Sequence, residues 1–171
     1  MRGEAIMGML TDDMQRVIRE QRLGFVATVC PDGTPNLSPK GTTKVWDSDH
    51  LVFADLNSPG TIANLRLNPS VEINVVDPTT RKGYRFKGTA TVLTEGALFE
   101  AIRASYAAGR EGSPQDPTPR IHAVALVRVT RAAALVSPAY ATGLTEAEIV
   151  AQWDAYWQAL RDERAAAGAG R

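Results

Sequence analysis

The sequence predicts a mainly β (α+β) chain: a six-stranded antiparallel β-barrel with peripheral helices and a C-terminal helix. Three observations predict it. Short β-rich runs recur at 25–29, 36–43, 51–54, 71–76, 84–93 and 122–129. The first connections, Pro31-Asp32-Gly33-Thr34-Pro35 and the polar tip Asp47-Ser48-Asp49, are tight turns with no room for a crossover helix. Helical patterns fall only at the ends and between strands, which places them around a sheet. The 171 residues fit one domain, 1–171, with the barrel at about 23–130 and a C-terminal extension and helix at 131–171.

The chain opens with a helix. Thr11 offers an N-cap oxygen, and Asp12 and Asp13 suit the positive end of the helix dipole. Met14, Val17, Ile18 and Leu23 follow near helical spacing, and Gly24 is the expected stop. Residues 25–29, 36–43 and 51–54 then form a meander, reversed first at Asp32-Gly33. Residues 58–67 read as a helix that ends at Asn68-Pro69, because a residue before proline is disfavoured in helical geometry. Val71, Ile73 and Val75 alternate with Glu72 and Asn74, the mark of a half-buried strand.

After the Asp77-Pro78 turn, 84–93 is a strand with Gly88 inside it as a bulge or bend. Residues 97–106 form a helix with Leu98, Phe99 and Ile102 on one face. Residues 109–120, rich in proline, glycine and charge, read as a loop and a candidate lid. Residues 122–129 are the last barrel strand, and 136–140 read as extended. Residues 145–164 are a helix with a Thr145/Glu148 capping box and an apolar stripe of Ile149, Trp153, Tyr156, Trp157 and Leu160. Six strands enclose little free volume, so a ligand belongs in an outer groove or between subunits.

Composition excludes several classes. Nineteen basic and nineteen acidic residues balance, which argues against nucleic acid or an anionic membrane surface as partner. No apolar run approaches the roughly 20 residues of a spanning helix. Residues 1–10 lack the pattern of a secretory signal. A single cysteine, Cys30, allows no intrachain disulfide, so a reducing cytoplasmic location is expected. Cys30 with the distant His50 and His122 makes no metal-ligand cluster. There is no nucleophile elbow, phosphate-binding P-loop or telling carboxylate pair. Any reaction must therefore lean on a cofactor.

Four stretches carry candidate chemistry. In Asn36 to Lys44, Pro39 removes a ladder donor and Gly41 weakens the strand. Either this is an edge strand guarded by lysines, or a flat ligand approaches its backbone while Lys40 and Lys44 neutralise a phosphate. In Asp55 to Thr61 a strand ends, a glycine turn follows and a helix begins. Free helix N–H groups there attract an anion, with Ser58, Thr61 and Asn64 adding donors. The plainer alternative is that Ser58 caps the helix and Pro59 starts it. Arg85, in Lys82 to Gly88, either faces a ligand or is simply exposed. Trp153, Tyr156 and Trp157 form a packing stripe, a partner-subunit contact or a cover over a cofactor.

Read in order, Gly24-Phe25-Val26-Ala27-Thr28, Asp32-Gly33-Thr34-Pro35, Ser38-Pro39-Lys40-Gly41, Leu51-Val52-Phe53-Ala54-Asp55, Asn64-Leu65-Arg66-Leu67-Asn68-Pro69 and Arg85-Phe86-Lys87-Gly88 resemble the pyridoxamine 5'-phosphate oxidase-like, FMN-binding split-barrel family. The resemblance implies a six-stranded split barrel and a homodimer with FMN at its interface. It implies an oxidoreductase acting on a small molecule. Ser38, Pro39, Lys40, Gly41, Thr42 and Thr43 would flank the flavin ring. Ser58, Gly60, Thr61 and Asn64 would lie near the phosphate, with Lys44 in reach. Ala54 and Asp55, at the strand end, would also contact the cofactor, and Arg85 would reach a neighbouring part of the site. Ser38 replaces an arginine of those oxidases and Gly60-Thr61 an Arg-Lys pair, and their C-terminal Arg/His signature is missing. A substrate other than pyridoxamine phosphate is therefore expected. The alternatives are a flavin-binding or sensing module without turnover, and an F420-dependent or haem-binding relative.

Overall fold

A computed structural model describes residues 8–108 and 116–168. In chain order the elements are α1 (Asp12–Gln21), β1 (Gly24–Val29), β2 (Pro35–Lys40), β3 (Lys44–Val45), β4 (His50–Asp55) and α2 (Pro59–Leu67). Then come β5 (Ser70–Asp77), β6 (Lys82–Leu93), α3 (Ala97–Ala107), β7 (Ala123–Val136) and α4 (Glu146–Gly168). The strands form one sheet in the order β2-β1-β5-β6-β7-β4-β3, and every neighbouring pair is antiparallel. The sheet has seven strands rather than the expected six, because 36–43 does not run through as one strand. It breaks after Lys40, and the two-residue β3 forms beyond the break.

That break positions everything else. β2 and β3 are the two edges of the sheet, yet they are consecutive in the chain, joined only by Gly41, Thr42 and Thr43. Three residues span at most about 10 Å, so the sheet must curl until its edges nearly meet. A seam remains where the barrel is split. Pro39 is tolerated because β2 has a single neighbour, β1.

Inside the curl, Val26, Leu51, Phe53, Ile73, Val75, Phe86 and Val127 are fully buried. α1 packs Val17 and Ile18 onto this core, and Tyr84 donates its hydroxyl hydrogen to Asp13 at 2.5 Å. A second cluster, Val52, Phe99, Ile102, Ile121 and Val124, lies under α3 on the other face of β4 and β7. Thr11 caps α1, accepting the Met14 N–H at 3.3 Å.

Several boundaries differ from the sequence reading. α1 is closed by Arg22 in left-handed geometry (φ 52°), not by Gly24, which begins β1. Gly24 is needed for another reason: a Cβ there would lie 2.5 Å from Thr43 Oγ1. β7 runs on to Val136 because the long β6 pairs with it throughout. The segment 136–140 is extended only at Val136 and Ser137; Pro138–Thr142 is a 3-10 turn that Ser137 caps. Of the expected loop and lid at 109–120, residues 109–115 lie outside the described residues, and Thr118–Arg120 is a 3-10 turn. The α4 capping box is present: Glu148 accepts the Thr145 N–H at 2.8 Å, and Thr145 accepts the Glu148 N–H at 3.3 Å.

Gly88 sits at the β6 register shift, where a Cβ would lie 2.2 Å from the Arg128 carbonyl oxygen. Gly88→Val is expected to destabilise the fold by about 1–3 kcal/mol through enforced backbone displacement, read from urea unfolding monitored by circular dichroism. An unchanged midpoint would contradict this account of the bulge.

Candidate functional site

Residues directly opposite in an antiparallel pair share a face. Ser38 pairs with Val26 and Lys40 with Gly24, so both side chains stand on the barrel side of β2. Lys40 is buried, 5% exposed. Its ammonium donates to Ser38 Oγ at 2.5 Å and Ser58 Oγ at 2.7 Å. Ser58 is the N-cap of α2, and its own N–H donates to the buried Asp55 at 2.6 Å. Burial lowers the Lys40 pKa from its ordinary value, while the Asp55 charge works against that shift. An ammonium has three donors and each serine keeps a proton to give. The corner is therefore a cation with two hydroxyls at a helix N-terminus, an arrangement that suits a phosphate monoester.

A second arrangement stands across the seam. The Thr42 hydroxyl donates to the Ala54 carbonyl and accepts the Ala54 N–H, each at 3.0 Å, replacing the missing strand pairing. Thr43 is buried and donates to the Lys40 carbonyl at 2.9 Å. Lys44 pairs in register with Val52, which puts its side chain on the α3 side of the sheet. Its ammonium donates to the Ser105 carbonyl at 2.9 Å and Oγ at 2.6 Å, and lies 3.9 Å from the Tyr106 ring centre. Tyr106 donates its hydroxyl hydrogen to the Thr42 carbonyl at 2.8 Å. Burial pushes Lys44 down to about 8 and pushes the Tyr106 phenol up.

Beside these groups opens a cavity of about 560 Å³, lined by Arg19, Arg22, Gly41, Thr42, Lys44, Leu56 and Tyr106 among others. Three cationic side chains line it, and none of its described lining residues is acidic.

The fold therefore brings Ser38, Lys40, Asp55 and Ser58 into one network, and sets Gly41, Thr42, Thr43, Lys44 and Ala54 along the seam. Gly60 is exposed and Thr61 buried in the first turn of α2. Asn64 is buried, and its amide donates to Thr28 Oγ1 at 3.1 Å and Cys30 Sγ at 3.5 Å, tying α2 to β1. Pro39 and Arg85 stand on the outer face of the sheet, in one register row through Phe25 and Asn74. Arg85 pairs there with Glu72 at 2.9 Å, so one chain alone does not bring it to Lys40. Sequence reasoning missed Arg19, Arg22, Ser105 and Tyr106. The contact between positions 44 and 105 leaves no local signal.

Comparison with known proteins bears on the family and the fold. A family model described as pyridoxamine 5'-phosphate oxidase matches residues 10–135. The crystal structure of Group A Streptococcus HupZ is 36% identical with a TM-score of 0.65, covering 75% of this chain and 96% of HupZ. An FMN-binding protein from Syntrophomonas wolfei shares the fold at 15% identity and a TM-score of 0.62, covering 75% of this chain and 87% of that one. An uncharacterised Methanocaldococcus jannaschii protein is 32% identical over 93 residues, 53% of this chain; the match spans 61% of that protein.

A lysine whose pKa is lower folded than unfolded leaves the unfolded state holding more protons between those two values. Wild-type stability should therefore gain a rising contribution as pH climbs from about 8 toward the ordinary lysine value of 10.5. Lys44→Met should flatten that rise, measured as chemical-denaturation midpoints at pH 7.5, 8.5 and 9.5. Parallel profiles for the two proteins would show that Lys44 is not desolvated as described.

Proposed function

The chain belongs to the pyridoxamine 5'-phosphate oxidase family, and we propose that it is a homodimeric FMN-binding oxidoreductase acting on a small anionic molecule. The observation that carries this reading is the buried Lys40 ammonium, held by Ser38 and Ser58 at the N-terminus of α2. This donor set fits the phosphate of FMN without the two arginines and the lysine that Ser38, Gly60 and Thr61 replace. The fold shared with an FMN-binding protein supports the choice of cofactor.

When bound, FMN would supply the electron transfer. Lys40, Ser38 and Ser58 hold the phosphate, and Asp55 fixes the Ser58 backbone for that task. The side-chain-poor backbone at Gly41 leaves room for a flat ring along the seam. Lys44, Arg19 and Arg22 draw an anionic substrate into the cavity, beside Leu56 and Tyr106. With a pKa of about 8, Lys44 is mostly protonated at neutral pH and keeps its charge for this role.

The test is a visible spectrum of the purified protein followed by FMN titration. The wild type should bind with flavin absorbance bands. Lys40→Met should weaken FMN by roughly ten- to a hundredfold, as loss of a charged hydrogen bond worth about 1.5–3 kcal/mol implies. Equal affinity in the two proteins would move the phosphate elsewhere. Stopped-flow reduction by a nicotinamide cofactor separates an enzyme from a flavin-holding module.

A further inference from the structure

The chain has four lysines, Lys40, Lys44, Lys82 and Lys87, and the fold gives each a different setting. Lys82 pairs with Glu146 at 2.6 Å, and that carboxylate holds its pKa above the ordinary value. Lys87 pairs with Glu72 at 3.3 Å. Lys40 is buried between Ser38 and Ser58 and does not line the large cavity. Lys44 does line it, and its hydrogen-bond partners are the neutral carbonyl and hydroxyl of Ser105 rather than a carboxylate.

These settings decide which nitrogen can act as a nucleophile, because only a neutral amine has a free lone pair. With a pKa of about 8, roughly a quarter of Lys44 is neutral at pH 7.5, against about one in a thousand for an amine at the ordinary 10.5. The geometry suits that form. A neutral amine has two hydrogens to give, and the Ser105 carbonyl oxygen at 2.9 Å and Oγ at 2.6 Å accept both. The Ser105 hydroxyl hydrogen goes to the Ile102 carbonyl, so Oγ is left to accept. The lone pair is then the one bonding direction of Nζ that Ser105 does not use. Arg19 and Arg22 line the same cavity, and a guanidinium suits a carboxylate or phosphate group.

We propose that Lys44 is a covalent capture site: its amine condenses reversibly with a small anionic aldehyde whose charged end is held by Arg19 and Arg22. The charged majority of Lys44 helps to draw the anion in, and the neutral minority reacts. The Nζ lone pair adds to the carbonyl carbon, the C=O electron pair moves to oxygen, and one proton passes from nitrogen to that oxygen. The oxygen then leaves as water with the second nitrogen proton, and a C=N bond remains. Nothing is oxidised or reduced, and the step needs no flavin.

The test incubates the full-length protein as purified at pH 7.5 with glyoxylate and sodium cyanoborohydride, which reduces an imine to a stable carboxymethylated amine. Mass spectrometry of the digest reads the label at each lysine. Lys44 should label at least tenfold faster than Lys82 or Lys87, and urea unfolding should abolish the difference. Equal rates at these three lysines in the folded protein overturn the capture site. Acetaldehyde in place of glyoxylate tests the anion: the preference for Lys44 should fall at least threefold, and Arg19→Gln with Arg22→Gln should lower the glyoxylate preference to the acetaldehyde level. A preference that is the same for both aldehydes overturns the role given to the arginines. The FMN titration judges the cofactor separately: a protein that labels at Lys44 but never takes up FMN loses the flavin and keeps the capture site.

Discussion

The structure turns on one unmade strand pairing. β2 and β3 are chain neighbours three residues apart, yet they are opposite edges of a seven-stranded sheet. Had the segment run through as a single strand, no seam would separate the two edges. Instead the backbone turns at Gly41, and Thr42 makes with Ala54 the two hydrogen bonds that a ladder residue would have made. The side chains before and after the turn consequently face different rooms.

This is why two lysines four positions apart have different surroundings. Lys40 is buried among serine hydroxyls at the start of α2, with Asp55 as a nearby countercharge. Lys44 lies over an aromatic ring beside a cavity whose other charges are also positive. Desolvation weakens the charged form of both, but the available compensation differs. At Lys40 the compensation is a set of oriented oxygens and a carboxylate. At Lys44 it is the Ser105 oxygens and the electron-rich face of Tyr106. Each corner thus presents a lysine ammonium, one at a helix N-terminus and one beside an open cavity.

Much of the scaffold was legible beforehand. The N-cap at Thr11, the helix stop before Pro69, the bulge at Gly88 and the capping box at Thr145 each rest on chemistry within a few residues, and each is found where expected. The seventh strand was not legible, because a two-residue strand carries no periodicity. Gly24 looked like a helix terminator, but its real constraint is the Thr43 side chain nineteen positions away. Asn64 drew notice as a polar residue on α2, but the sequence did not show that its amide ties that helix to Thr28 and Cys30.

Local pattern alone established the antiparallel β character, the peripheral helices and the unusual stretch from Ser38 to Lys44, because turn chemistry and two-residue alternation act over short spans. Folding in three dimensions decided the faces and the company. It put Arg85 on the outer surface with Glu72, gathered Ser38, Lys40, Asp55 and Ser58, and set Tyr106 beneath Lys44. The reason is that strand order and curl determine which distant residues meet. Those depend on the free energy of the whole sheet closing around its core, which no short window of residues contains.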